Sequence, residues 1–378
     1  MIIRNSEAQD FLRCRLKWDY RWNRKLEPKR KSMKLVIGTL FHKFLENYYT
    51  PTILRTEEQL QFSIKAMHEM YEQDIVAKIE TGAYDAVEAG EMWDFLEKLA
   101  KWYHEYWSQK QEKPWEVIAT EKTYYINMTT LEVREEATEE METDLETIWY
   151  ECTLDLVVRV DGKLWLVDHK TTNNLDYFIK NAEMDRQISR YIFALNAVYP
   201  EEEIGGLIYN LIKKELPHEP AVLKKGGLSK AKDQRTTYTL YLNKLIELGL
   251  ATIDLNDEGG KIATDAAHME VLQSLAAREH KLGNDYLYRL PVKRNDAELN
   301  NAMNELLQVA HAIRQIRKFM AKYPGIKDYR HPIYRNITKD CSWDCPVKDI
   351  CKAGMDGSDV TYLENELLEP ITKEGLEG

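Results

Sequence analysis

The chain has 378 residues, 44% of them apolar and 30% charged, with a net charge of −11. That is enough for one large domain or two ordinary ones around a proper core, and it excludes a disordered chain. The acidic balance argues against a passive nucleic-acid binder, which is usually basic, and no apolar run approaches the roughly 20 residues that cross a bilayer.

In chain order, the N-terminal "MIIRNSEAQDFLRCRLKW" lacks an apolar signal region and a small-residue cleavage site, so it reads as intracellular and cytoplasmic. The first 50 residues read as helical around a basic, aromatic strip. Arg13 to Lys34 holds ten Lys or Arg against two acids, Asp19 and Glu27. Such a strip can hold phosphates even when the total charge is negative; a solvated helical face accounts for it equally well. "LVIGTLFHKFLENYY", 35–49, begins as a short apolar run and turns into a helix past Gly38. Segments 56–82 and 86–111 carry apolar residues three and four apart, the helical spacing, and Pro114 stops them.

Strands take over next. "WEVIATEKTYYINM", 115–128, is β-branched and aromatic. An acidic stretch follows, eight acids and one base from Glu132 to Glu146, and reads as a solvated loop or hairpin end. "TIWYECTLDLVVRV" and "KLWLVDHKTT" are then joined by Asp161-Gly162. A helix is predicted over about 178–198 and a strand over 203–214. The middle of the chain is thus β-β-β-α-β, the pattern of an α/β fold with a mixed central sheet flanked by helices. Residues 217–232, rich in Lys, Gly and Pro, read as a loop. Residues 235–323 read as mainly helical, with breaks at Gly259-Gly260 and Pro291, and a loop-like tail carries three of the five cysteines. An odd cysteine count in an intracellular chain argues against a disulfide framework.

Asp-Gly between two apolar runs is a strong hairpin signal. With Asp161 and Gly162 as the turn, Val160 faces Lys163 and Asp155 faces Asp168. Opposed residues share a face, with Cα atoms about 4.5 Å apart at a non-hydrogen-bonded pair. Lys170 emerges on that same face two residues on. Two carboxylates opposed in covered strands repel and resist ionising together. A divalent cation such as Mg²⁺, which prefers hard oxygen ligands, removes the conflict. Lys170 can then steady an attacking water or developing phosphorane charge. The competing account is plain salt-bridging of the acids to Lys170 and Arg159, and the pairing register favours the metal site over it.

At this point the sequence resembles the PD-(D/E)XK nuclease superfamily, in which one strand carries an acid and the next an acid-x-Lys. Asp155, Asp168 and Lys170 fill those places. "GTLFHKFLE" looks like the upstream histidine motif of RecB-type nuclease domains and makes His42 a metal ligand. "QISRY" looks like the Gln-x-x-x-Tyr motif of that branch, with Gln187 and Tyr191 on one helix face. Glu121, on the preceding strand, matches a position that is often acidic in the family. Cys14 upstream, with Cys341, Cys345 and Cys351 in "CSWDCPVKDIC", resembles the iron–sulfur staple of the exonuclease branch. That branch includes CRISPR-associated adaptation nucleases (the fourth Cas family) and the nuclease subunit partnered with a bacterial recombination helicase. The family's first cysteine gap is usually two residues, and three separate Cys341 from Cys345 here. Four thiolates also suit Zn²⁺. Cys152 reads as a buried core residue.

The resemblance implies a restriction-endonuclease-like core with large helical insertions and an iron–sulfur staple joining the N- and C-terminal segments. The regions would be 1–114, helical with the first cysteine and the histidine motif; 115–216, the nuclease core; 217–334, a mainly helical insertion; and 335–378, the cysteine segment and tail. It implies a Mg²⁺- or Mn²⁺-dependent DNA exonuclease acting on ends, on single strands, with His42, Asp155, Asp168 and the His169 carbonyl on the metal. Lys170 would act on the water, and Gln187 and Tyr191 on the substrate strand. A [4Fe–4S] cluster would sit on the four cysteines. Arg13, Arg15, Arg21, Arg24, Lys213 and Lys214, with Lys224 and Lys225, would hold the DNA backbone. Recombination or CRISPR-adaptation proteins would be partners. An endonuclease, a spacer-end processing nuclease and an idle DNA-binding or assembly module stand as alternatives.

Overall fold

The computed structural model describes residues 1–50, 56–110, 115–224, 226–254, 261–326, 330–342 and 345–371. Lys225, Pro114 and Gly259-Gly260 lie outside them. No helix among the described residues is long and apolar enough to cross a membrane.

The strands are β1 (Ile2–Arg4), β2 (Leu26–Pro28), β3 (Glu116–Asn127), β4 (Val133–Arg134), β5 (Trp149–Val160), β6 (Lys163–Thr172), β7 (Ile204–Lys213), β8 (Ala251–Asp254), β9 (Lys261–Thr264), β10 (Leu287–Val292) and β11 (Leu368–Pro370). The main sheet has the order β10-β7-β6-β5-β3-β4, with β1 added alongside β5. β3, β5 and β6 pair antiparallel and β1 joins β5 parallel, so the sheet is mixed and mostly antiparallel. The alternation of β5 and β6 predicts both faces covered, and Leu154, Leu156, Val157, Val158, Leu164, Leu166 and Val167 are all fully buried.

The hairpin turn forms as its residues demand. Asp161 has φ 50° and Gly162 φ 79°, both left-handed, as a two-residue type I′ turn requires. The register runs from Val160 opposite Lys163 to Leu156 opposite Val167. At the start of β7, a Cβ on Gly206 would lie 2.4 Å from the Val292 carbonyl oxygen, and φ there is +135°, so no other residue fits.

The chain divides into two compact units. One comprises residues 1–168, 182–208 and 291–378, the other 169–181 and 209–290. In the first, the helix Asp296–Lys322 opens on a capping box between Asn295 and Glu298 and packs against the helices Asn5–Arg13 and Arg186–Val198. In the second, the helices Tyr238–Glu247 and Ala266–Ala276 close on Leu228, Tyr241, Leu245, Ala251, Val271, Leu272 and Leu275.

Several local expectations are corrected. Gly38 does not precede a helix but sits within one, Met33–Tyr48, whose N-cap is Ser32; the buried stripe of Val36, Leu40, Phe41 and Phe44 outweighs one glycine's cost of about 1 kcal/mol. The helix expected over 178–198 is a helix Leu175–Asn181, a short 3₁₀ turn and a second helix Arg186–Val198 capped by Asp185. The region read as mainly helical also contains β8, β9 and β10, with Pro291 inside β10 instead of breaking a helix.

Candidate active site

Glu121, Asp155 and Asp168 form a row across three neighbouring strands. The β3–β5 register pairs Thr120 with Leu156 and Lys122 with Leu154, which leaves Glu121 opposite Asp155. The β5–β6 register is observed as far as Leu156–Val167, and one further step along it would set Asp155 opposite Asp168. Neighbouring strands lie about 4.8 Å apart, so the registers, continued through these positions, set the three acidic residues side by side. Asp168 is 1% exposed.

His42 completes the row from above. On the helix Met33–Tyr48 it faces away from the buried stripe, and its Nδ1 lies 3.7 Å from Asp155 Oδ2. His42, Glu121 and Asp155 each present a ligand atom within 4.8 Å of the others. Sequence reasoning ranked Asp168 above Glu121 as a partner of His42, whereas the group of candidate ligands found among the described residues contains Glu121.

Glu121 is unusual twice over. Its φ is 43° in the middle of an extended strand, a left-handed conformation that non-glycine residues rarely hold without a reason. Its Oε1 is buried without a hydrogen-bond partner among the described residues. Burial first, then the charges of Asp155, Glu46 and Asp168, push its carboxyl up to about 9. Three acids that resist simultaneous ionisation beside an imidazole make a donor set suited to a hard divalent cation.

Gln187 and the Tyr191 phenol lie one turn apart on the helix Arg186–Val198. Burial, then Asp168, Tyr150 and Asp155, raise that phenol well above its ordinary value, so both carboxylates of the hairpin act on it. The division between the two units runs through β6 after Asp168. Within that strand, alternation puts Lys170 on the face of Asp168 and turns His169 to the other face. The His169 side chain is 1% exposed and its Nδ1 meets Asn210 Nδ2 at 2.9 Å.

A second site gathers four cysteines. Cys14, Cys341, Cys345 and Cys351 line one pocket with Arg13, Lys17 and Arg335. Cys14 caps the end of the helix Asn5–Arg13. The Asn336 N–H points to Cys14 Sγ at 3.4 Å and the Thr338 N–H to Cys341 Sγ at 3.4 Å. Around it, β2 pairs with β11, and Arg24 and Tyr20 both bond Glu364. Cys152 is 3% exposed in β5, and its thiol is raised by burial.

The basic strip is engaged within the protein. Arg13 lies 3.8 Å from Asp340 and Arg24 grips Glu364 with both nitrogens. Arg15 stacks on Phe11 and Tyr334, and Arg21 reaches Asp10 and covers Trp22. The contacts to Asp340, Glu364 and Tyr334 join the N-terminal segment to residues beyond 330, a job that composition alone does not distinguish from holding phosphates. In the second unit, Lys213 pairs with Glu215 at 3.1 Å, the Lys214 N–H bonds the Thr172 carbonyl, and Lys224 is exposed.

A mostly antiparallel sheet flanked by helices, with acids on its central strands beside a helix-borne histidine, is an arrangement that could hold a divalent metal ion. The sequence model of the PD-(D/E)XK nuclease superfamily matches residues 5–352. The chain belongs to that superfamily, whose chemistry is metal-dependent cleavage of nucleic acid. Among curated proteins none matches it.

Proposed function

We propose that the protein is a Mg²⁺- or Mn²⁺-dependent deoxyribonuclease of the RecB-like branch, an exonuclease that hydrolyses phosphodiesters from DNA ends and prefers single strands. The observation that carries the reading is the row Glu121–Asp155–Asp168 with His42 beside it. The orphaned, buried Glu121 oxygen fits a bound cation: without one, a carboxylate there is desolvated with nothing to accept.

His42, Glu121, Asp155 and Asp168, with the His169 carbonyl, would hold the ion. When bound, it supplies an acidified water and a counter-charge to the scissile phosphate. Lys170 holds that water against the phosphorus and keeps a positive charge where negative charge grows. Gln187 and Tyr191, one turn apart on their helix, orient the substrate strand. Cys14, Cys341, Cys345 and Cys351 would bind a [4Fe–4S] cluster. Backbone N–H groups are directed at the Cys14 and Cys341 sulfurs, the kind of donor that surrounds the sulfur ligands of a cluster or a Zn²⁺ ion.

End-labelled linear and circular single-stranded DNA in Mn²⁺ test the activity. Linear strands are shortened, circles survive, and Asp168→Ala slows cleavage by about a hundredfold or more while DNA binding persists. Cleaved circles would make the protein an endonuclease. Intact linear DNA with both the parent and the variant would leave only a binding module.

A further inference from the structure

Three residues separate Gln187 from Tyr191, and the two polar ones, Ser189 and Arg190, are both buried, 5% and 2% exposed. Arg190 is a guanidinium inside the first compact unit. Its Nε donates to the Ala302 carbonyl at 3.3 Å and its Nη1 to Asn5 Oδ1. Its Nη2 has no hydrogen-bond partner among the described residues, nor does the fully buried Tyr150 hydroxyl that shares its electrostatic environment. A buried charge held by so few bonds is poor value for stability: an apolar side chain of similar size usually packs there at no loss. Such groups serve best as devices that select one arrangement over its neighbours.

The arrangement selected here is the rotation of one helix. Arg190 ties the helix Arg186–Val198 at once to the helix Asn5–Arg13 and to the helix Asp296–Lys322. Ser189 adds a bond from Arg294 Nε at 3.0 Å, and Arg186 adds a pair with Glu305 at 2.7 Å. At 100° per residue, Gln187 and Tyr191 lie about 40° apart, and Arg190 about 80° round from their mean direction. A side-chain tip about 6 Å from the axis moves about 1 Å for each 10° of helix rotation. A misplacement of that size can cost about a hundredfold in rate.

We propose that Arg190 is a positioning residue: its bonds to Asn5 and Ala302 set the rotation of the 186–198 helix and so the aim of Gln187 and Tyr191 at the carboxylate row. The inference rests on the nuclease reading for its kinetic consequence, but not for its structural one. Arg190→Met keeps the volume and removes the bonds. Its expected signature is kcat in Mn²⁺ down 10- to 100-fold, KM for a single-stranded oligonucleotide within about threefold, and partial recovery in Arg190→Lys. Hydrogen exchange at amides 187–195 rises in the same variant while the β3–β5–β6 amides keep their protection. Parental kcat in Arg190→Met overturns the proposal. So does a loss that matches the unfolded fraction, with exchange raised across the whole unit. Should Arg190→Met fail to fold, Asn5→Ala, which removes one bond, is held to the same criteria with a three- to tenfold loss. Should the parent protein cleave no DNA, the nuclease reading falls by itself and the exchange pattern alone decides: protection lost in this helix supports the proposal, unchanged protection ends it.

Discussion

At Glu121 a left-handed backbone and an unsatisfied carboxyl oxygen meet in one residue, and its burial links the site to pH. Its carboxyl is held up at about 9 against an ordinary 4.5. The folded, metal-free protein therefore keeps a proton there that the unfolded chain has released. That contribution to stability is complete below about 4.5 and is lost as pH rises towards 9. Melting of the chelated protein should fall between pH 6 and 9, and fall less in Glu121→Gln, which mimics the protonated form at every pH. Mn²⁺ should then raise the melting temperature of the parent by more than that of the variant. Parallel melting curves and equal responses to Mn²⁺ would remove Glu121 from the proposed metal site. This residue was only partly legible in the sequence. Family resemblance marks position 121 as acidic, but the register that brings it opposite Asp155 passes a bulge between Val117 and Ala119 and a left-handed residue, which alternation does not foretell. The arginines show the converse: their charge is obvious in the sequence, while their partners Asp340, Asp10 and Glu364 come from distant or unremarkable positions.

Among elements, the β5–β6 hairpin was the most legible because its determinants are local. Asp161-Gly162 fixes the turn, the turn fixes the register, and the register fixes which residues share a face. Gly162 has open space where a Cβ would lie, so replacing it costs only conformation. Gly162→Ala at φ 79° should lower stability by about 1–2 kcal/mol, read as a shift of the urea midpoint with an unchanged slope. An unshifted midpoint would mean that the turn does not hold the register. By contrast, β1 at residues 2–4 and the β2–β11 pair escaped sequence reading. Each is three residues long and pairs with a segment far away in the chain, so neither leaves a periodic trace. β10 was missed because Pro291 reads as a breaker, although proline is tolerated at sheet edges, and β10 ends the strand order.

At the scale of the molecule, the segments at the two ends of the family match, 5–352, fold onto each other at the cysteine pocket. Beside it, β2–β11 and the small core of Tyr20, Val347, Ile350 and Leu368 add little apolar area, and most of the remaining contacts are half-exposed ion pairs, which contribute about 1 kcal/mol or less each. A cross-link between residue 14 and residues 341–351 removes a loop of over three hundred residues from the unfolded ensemble, and loop closure favours such long-range ties. If the four thiolates hold a cluster, Cys14→Ser should bring iron from about four atoms per chain to less than one. It should also make the segment around residues 333–371 sensitive to protease before the β3–β5–β6 sheet opens. Absorbance near 400 nm, on the order expected for such clusters, should vanish in step with the iron. Zinc in place of iron, colourless and released by the same substitution, would keep the staple and change only its metal. Iron retained at parental level with the thiol gone would show that residue 14 is no ligand, and the tie between the two ends would then rest on Arg24, Tyr20 and Glu364. In that case Glu364→Gln, not Cys14→Ser, would be the substitution that frees the tail.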